Sequence, residues 1–178
     1  MIEQMVAGGM LILLLIWVLH CLKRQRDQAW LPRELRRATL VYAEQLFRAR
    51  GPITLTAKVD RGYSDPAGII ILIELKNRQR DSVFLADVIE LSAQRVAVMV
   101  ETGGQVALHA YVIVQGPSGR RVAHRVGLLD VVEVKALIQR REAILIGKAT
   151  PRCSRSVHLC SGCGFRRRCV ELPLFTGI

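Results

Sequence analysis

The chain has few cysteines, few prolines and no internal period, and each shortage closes a class of reading. Five cysteines in 178 residues cannot staple a small disulfide scaffold. Fourteen glycines and six prolines without a repeat exclude collagenous and low-complexity chains. The length allows one compact domain and an appendage, not two full-sized domains. Acidic residues are also short, 15 Asp and Glu against 26 Lys and Arg, which leaves a net charge of +11 and a pI near 10.2. A disordered basic tail is nevertheless excluded, because 51% of the residues are hydrophobic and the mean hydropathy is +0.25. The charge excess fits adhesion to anionic lipid, topogenic signalling or nucleic-acid binding, and by itself it does not choose among them.

Hydropathy concentrates at the start. Residues 5–22 (MVAGGMLILLLIWVLHCL) carry no acidic side chain, Lys or Arg, and Lys23, Arg24 and Arg26 follow directly. A spanning helix needs roughly 20 apolar residues, so the run predicts an uncleaved transmembrane helix. Its flanking charge predicts a single pass in the cell membrane, with the soluble domain facing the cytoplasm. A reducing compartment then favours metal ligation over disulfides for the cysteines. The expected organisation is an anchor over 1–22, a basic linker over 23–31, an α/β core over 32–147 and a cysteine-rich tail over 148–178.

Within the core, residues 32–50 place Leu35, Ala38, Leu40, Ala43, Leu46 and Phe47 at helix-like spacing between Pro32 and Gly51-Pro52, which predicts a first helix. Residues 53–60 alternate apolar with polar as a half-buried strand does, GYSDPAG over 62–68 reads as a turn, and the β-branched run 69–75 reads as a buried central strand. A helix capped by Asp81 or Ser82 should run to Thr102, with Asp87, Glu90 and Gln94 off its apolar stripe. Strands over 106–115 and 120–128 flank the turn GPSG, and Asp130 caps a last helix to residue 146. His109 and His124 lie inside strands without a second ligand at metal spacing and read as structural.

Glu74 and Lys76, two apart on a strand, share a face, and pairing of 53–60 with 69–76 brings Asp60 near it. Two carboxylates beside a lysine suit a hard divalent ion, the carboxylates holding Mg²⁺ or Mn²⁺ and the lysine handling water near a phosphate. They equally describe ordinary charged strand ends. Asp60, then Glu74-Leu75-Lys76 fourteen residues on, then a helix containing Gln94, resembles the PD-(D/E)XK nuclease superfamily, and most of all its RecB-like, CRISPR-associated exonuclease branch. The resemblance covers roughly residues 32–169. It implies a mixed-sheet, restriction-endonuclease-like core and a metal-dependent deoxyribonuclease. In that reading Asp60 and Glu74 bind the divalent ion, Lys76 positions or activates water, and Gln94 orders the site. Glu44 stands as an extra ligand in place of a first-helix His, which this chain lacks.

The tail reads CSGCGFRRRC, with Cys160, Cys163 and Cys169 in a C-x2-C-x5-C spacing and Cys153 seven residues earlier. Four thiolates so close in sequence can wrap one metal centre, with zinc the default. Similarity to the iron–sulfur members of the RecB-like branch implies an iron–sulfur cluster instead, with Cys153 or the distant Cys21 as fourth ligand. Arg33, Arg36 and Arg37 in the expected first helix, and Arg166, Arg167 and Arg168 in the cysteine loop, are candidate phosphate contacts to DNA. The alternatives are a catalytically inactive nuclease-like membrane adaptor for nucleic acid or protein, and a zinc-stabilised membrane adaptor.

Overall fold

The computed structural model describes residues 30–151, 157–164, 166 and 167, together with Leu14 and Trp17. They divide into two units, Met1–Val134 and Lys135–Ile178.

The first unit is a five-stranded mixed sheet with one long helix. Its strands are β1 (Thr39–Ala49), β2 (Leu55–Ser64), β3 (Ile70–Asn77), β4 (His109–Gln115) and β5 (Arg121–Gly127), laid side by side in that order. All neighbours are antiparallel except β3 and β4, which run parallel and are joined by helix α1 (Leu85–Thr102). A parallel pair needs such a crossover, because a tight turn can only reverse the chain.

The central strand explains the layering. Along β3, Ile70 and Leu72 join one apolar cluster while Ile71 and Ile73 join the other, as alternation dictates for a strand buried on both faces. The first cluster packs Phe47, Val59, Leu72, Val112 and Val114 of the sheet against Leu91, Ala97 and Val98 of α1. The second sets Tyr63, Ile73, Tyr111 and Ile113 against Leu31 and Leu35 from the segment before the sheet. At roughly 2 kcal/mol for each fully buried aliphatic side chain, the two faces fix the register of β3 firmly. Gly103, in the left-handed conformation at φ 69°, ends α1 by donating its N–H to the Met99 carbonyl.

Several expectations are corrected. The first helix over 32–50 is a short 3-10 turn at Arg33–Arg37 followed by β1. Thr39, Val41 and Tyr42 favour extended backbone, and pairing with β2 down to Ala49↔Leu55 satisfies the main chain better than an isolated helix would. Gly62, read as part of a turn, lies inside β2, where its partner Tyr42 covers it so closely that a Cβ would meet the ring at 2.7 Å. Helix α1 starts after Phe84, not at Asp81 or Ser82, and Asp87 accepts the Phe84 N–H at 2.8 Å. Asp130 does cap the next helix: its N–H donates to Glu133 while its carboxylate accepts the Glu133 N–H, both at 2.8 Å.

The expected transmembrane helix, and the membrane localisation and partnership drawn from it, are also corrected. Among the described residues no helix is long and apolar enough to cross a membrane. Apart from Leu14 and Trp17, the run 5–22 lies outside the described residues. At eighteen residues the apolar run is at the short end of the range a spanning helix takes.

The unit division falls within α2 (Val131–Leu145). Beyond it, Lys148 donates its N–H to the Ala143 carbonyl at 2.7 Å, with Gly147 left-handed at φ 73°. A short helix α3 follows at Val157–Ser161.

Candidate active site

Strands β2 and β3 and helix α1 bring Asp60, Glu74, Lys76 and Gln94 together. Glu74 sits where the apolar run of β3 gives way to charge, and it is only 4% exposed. Both of its carboxylate oxygens are engaged: Oε1 by the Lys76 ammonium at 2.6 Å and Oε2 by the Gln94 Nε2 amide at 2.7 Å. Asp60 comes from the neighbouring strand, and its Oδ2 accepts the Leu75 N–H at 2.9 Å. That bond fixes one carboxylate against the backbone between the other two site residues of β3.

Sequence reasoning missed a fifth member. Glu90 lies one turn before Gln94 on α1, and its Oε2 contacts the Lys76 Nζ at 2.8 Å. The signal was available, since residues four apart on a helix face the same way and Glu90 was already off the apolar stripe. Lys76 is therefore gripped from two elements, by Glu74 of its own strand and by Glu90 of the crossover helix.

The electrostatics follow. Burial pushes the Glu74 carboxyl up and the Asp60 and Glu90 charges add to this, while the hydrogen bonds from Lys76 and Gln94 oppose it; the net direction is upward. For Lys76 partial burial acts downward, but the hydrogen bonds and charges of Glu74 and Glu90 outweigh it and hold the ammonium above its ordinary value. At neutral pH Lys76 is a cation, suited to orienting water or stabilising negative charge and unsuited to taking a proton.

The scaffold behind the site is tied by Arg78 and Asp87. The Arg78 guanidinium grips the Asp87 carboxylate with two hydrogen bonds, Nη1 to Oδ2 at 2.7 Å and Nη2 to Oδ1 at 2.5 Å. Nη1 also reaches the Ser82 carbonyl at 2.8 Å, and the guanidinium lies 4.6 Å from the Phe84 ring centroid. Strand end, connecting loop and first turn of α1 are thus locked together, which sets where Glu90 and Gln94 stand relative to β3.

The other expected residues are placed elsewhere. Glu44 is on β1, not on a helix; it adopts a left-handed φ of 51° and its carboxylate pairs with Lys58. Arg33, Arg36 and Arg37 are exposed on the 3-10 turn. Arg166 and Arg167 are exposed in the second unit, and Arg168 lies outside the described residues. Cys163 donates its N–H to the Cys160 carbonyl at 3.3 Å, a turn that brings the two residues of the C-x2-C together. Cys153, Cys169 and Cys21 lie outside the described residues. His109 and His124 pair with Glu34 and Asp81, in keeping with structural roles.

Among the described residues no group of three or more His, Cys, Asp or Glu converges as a ready metal cage. A Mg²⁺ or Mn²⁺ site asks for less: one or two carboxylates, with water and substrate phosphate completing the shell. Asp60 and Glu74 meet that requirement in kind. Gln94 adds a second sign of fit, for it is 1% exposed and its Oε1 is buried without a hydrogen-bond partner while its Nε2 holds Glu74. An acceptor left open on the side chain that holds Glu74 matches a position for a bound water or cation.

No family model matches the chain, so the RecB-like branch has no support from that side, and no curated protein matches it either. Solved structures similar to it include the protein SSO0001, 17% identical with a TM-score of 0.48, over 88% of this chain and 69% of that one. A second, from Eubacterium rectale and provisionally named an exonuclease, is 12% identical with a TM-score of 0.46. It is matched over 81% of this chain, which spans 56% of its length. At these values the likeness assigns no activity.

Proposed function

We propose that this chain is a divalent-metal-dependent deoxyribonuclease. The observation that carries the reading is the Glu74 carboxylate, buried at the end of a central strand and held by Lys76 and Gln94, with Asp60 fixed beside it. A purely structural buried glutamate is normally matched to a single cation. Here two carboxylates, Glu74 and Glu90, hold one ammonium and the Asp60 charge acts on Glu74 as well, an excess of negative charge that attracts a divalent cation.

Phosphodiester hydrolysis adds water across a P–O bond, and negative charge builds on the phosphoryl oxygens. Asp60 and Glu74 would hold Mg²⁺ or Mn²⁺, which when bound supplies charge neutralisation at phosphate and a more acidic water. Lys76, kept charged by its two carboxylates, orients the attacking water and faces the developing charge. Gln94 fixes the rotamer of Glu74 from α1, and Glu90 fixes Lys76. The exposed Arg33, Arg36 and Arg37, with the arginines of the tail, would contact DNA phosphates without reading sequence. The cysteines of the tail are proposed to close a metal centre, an iron–sulfur cluster or zinc, for which the Cys160–Cys163 turn supplies the first pair of thiolates.

The test is cleavage of labelled DNA by the full chain with Mg²⁺ or Mn²⁺, against the same reaction with chelator. Lys76→Ala and Glu74→Ala should each lower cleavage by about a hundredfold or more while leaving DNA binding within about threefold. One observation favours a second reading, an inactive nuclease-like adaptor for nucleic acid: both oxygens of Glu74 already have protein partners. DNA binding without cleavage by the wild-type chain under either ion would replace the first reading with this one.

A further inference from the structure

The face of the sheet opposite Glu74 carries a second feature. Leu75 and Ile113 belong to the cluster on that face, and cross-strand partners share a face, so Arg61 opposite Ile73 and Arg121 opposite Gln115 project there as well. Both guanidiniums lie over the Trp30 ring, Arg61 at 5.4 Å and Arg121 at 5.2 Å from its centroid. The Arg121 Nε donates to the Gln115 Oε1 at 2.7 Å. Arg121 is thereby oriented by an aromatic ring and a carboxamide, and among the described residues no carboxylate is paired with it.

Beside it, a cleft of about 260 Å³ is lined by Leu75, Lys76, Asn77, Ile113, Gln115 and Arg121. Its position is the carboxyl ends of the parallel strands β3 and β4, where α/β sheets with a crossover helix present their ligand sites. The lining has a definite chemistry. Leu75 gives a small apolar floor over the buried Ile113, Asn77 and Gln115 carry carboxamides that can pair with a polar edge, and Arg121 brings positive charge, while the Lys76 ammonium is held by Glu74 and Glu90 on the other face. Among the described residues no acidic side chain lines it.

We propose that this cleft binds one nucleotide unit, its phosphate on Arg121 and its base over Leu75 with a polar edge towards the Asn77 and Gln115 carboxamides. The ligand class rests on the nuclease reading; the anion preference and the apolar floor rest on the cleft itself. The volume lies below the usual range for drug-sized ligands, which suits a single nucleotide and excludes a stacked pair. Lys76 lines the cleft from the strand that also carries Glu74. The cleft and the proposed hydrolytic centre therefore meet at the carboxyl end of β3, on opposite faces of the sheet.

The experiment measures binding of a fluorescent single-stranded oligonucleotide and of labelled deoxyadenosine monophosphate to the full chain, in chelator so that nothing is cut. Arg121→Gln should weaken binding about tenfold and flatten the salt dependence by about 0.7 in log–log slope, one phosphate contact on a single strand. Asn77→Glu should weaken it as much by repulsion; Asn77 is exposed, and this change leaves the Trp30 stack untouched. A loss in the oligonucleotide arm alone places a nucleotide within a strand in the cleft, and a loss in both arms places a terminal or free nucleotide there. A Kd unchanged within twofold in both arms, or moved by only one of the two substitutions, overturns the proposal. Cleavage is scored separately. Variants that bind as the wild type while the wild type still cuts sink the cleft alone, whereas a cleft that binds in a chain that never cuts sinks the nuclease reading alone.

Discussion

Replacing Lys76 by Met should destabilise the fold by an amount that depends on pH, because it strands a carboxylate that cannot reach water. Lys76 Nζ lies 2.6 Å from Glu74 and 2.8 Å from Glu90, and the Glu74 side chain is 5% exposed. At an effective dielectric constant near 20, the gross attraction to Glu74 alone is roughly 6 kcal/mol. Desolvation of the pair cancels much of it, so the variant should lose about 3 kcal/mol at pH 7. The sign with pH follows from the upward direction at Glu74. A carboxyl whose folded pKa is raised contributes stability that is fully present below its unfolded value and is lost as pH rises through the folded one. Without Lys76 that rise is larger, so the penalty should shrink to about 1 kcal/mol near pH 4, below the ordinary glutamate range, where Glu74 already carries its proton, and grow towards neutrality. Urea unfolding at pH 4, 5.5 and 7 at constant ionic strength, on wild type, Lys76→Met, Glu74→Gln and the double variant, measures this directly. The double variant should be nearly as stable as Glu74→Gln, giving a coupling of about 2 kcal/mol at pH 7. A penalty independent of pH, or a coupling under about 0.5 kcal/mol, refutes the buried-pair account.

Two further outcomes follow from the same network. Glu90→Gln removes one of the two carboxylates on Lys76; turnover should fall about tenfold with the Kd for DNA unchanged, because the ammonium stays charged on Glu74 but is less well held, and single-turnover assays with parallel binding measurements separate the two effects. Asp87→Asn breaks the two-bond grip of Arg78 and should cost about 3 kcal/mol in urea unfolding at pH 7. Burial pushes the Asp87 carboxyl up, but the hydrogen bonds from Arg78 and the Phe84 amide outweigh it and hold it below its ordinary value. Its stabilisation is therefore present above the unfolded carboxyl value and lost as pH falls through the folded one, and the variant's stability should change less than the wild type's over that acid range.

The parts of the fold that were legible in sequence are those in which one element contains its own reason. Residues 69–75 are apolar on both parities, and β3 is buried on both faces. The helix over 85–102 was legible as well, but not its buried face: of the stripe expected at Leu85, Val88, Ile89, Ala93, Val96 and Val100, Leu85 and Val100 are exposed, and Leu91, Ala97 and Val98 pack on the sheet. Residues 32–50 failed because their apolar positions satisfy two periods at once. The choice between them is made by pairing with β2, to which the extended preference of Thr39, Val41 and Tyr42 is only a local pointer. Gly62 failed for a related reason. A glycine between polar residues reads as a turn unless Tyr42, twenty residues earlier, is known to lie across it.

The site divides along the same line. Asp60, Glu74 and Lys76 could be placed on one face by counting along two strands, since strand parity is a local rule and the register needs only one hairpin. Gln94 required the additional step that α1 crosses back over β3, which the parallel pairing of β3 with β4 enforces. Once that step is taken Glu90 is implied, because any helix that delivers Gln94 to Glu74 delivers the side chain one turn earlier to Lys76, two residues further along the same strand. What remained hidden are contacts fixed by the angle of a side chain and not by its position: the fork of Arg78 on Asp87, and the stacking of Arg61 and Arg121 on Trp30. In a chain with 26 Lys and Arg, position alone cannot tell an arginine held by a ring or a carboxylate from one that lies free in solvent. The held ones bind with the least further loss of side-chain freedom, which is why Arg121, absent from any motif, is a stronger candidate for a phosphate than the exposed arginines of the 3-10 turn.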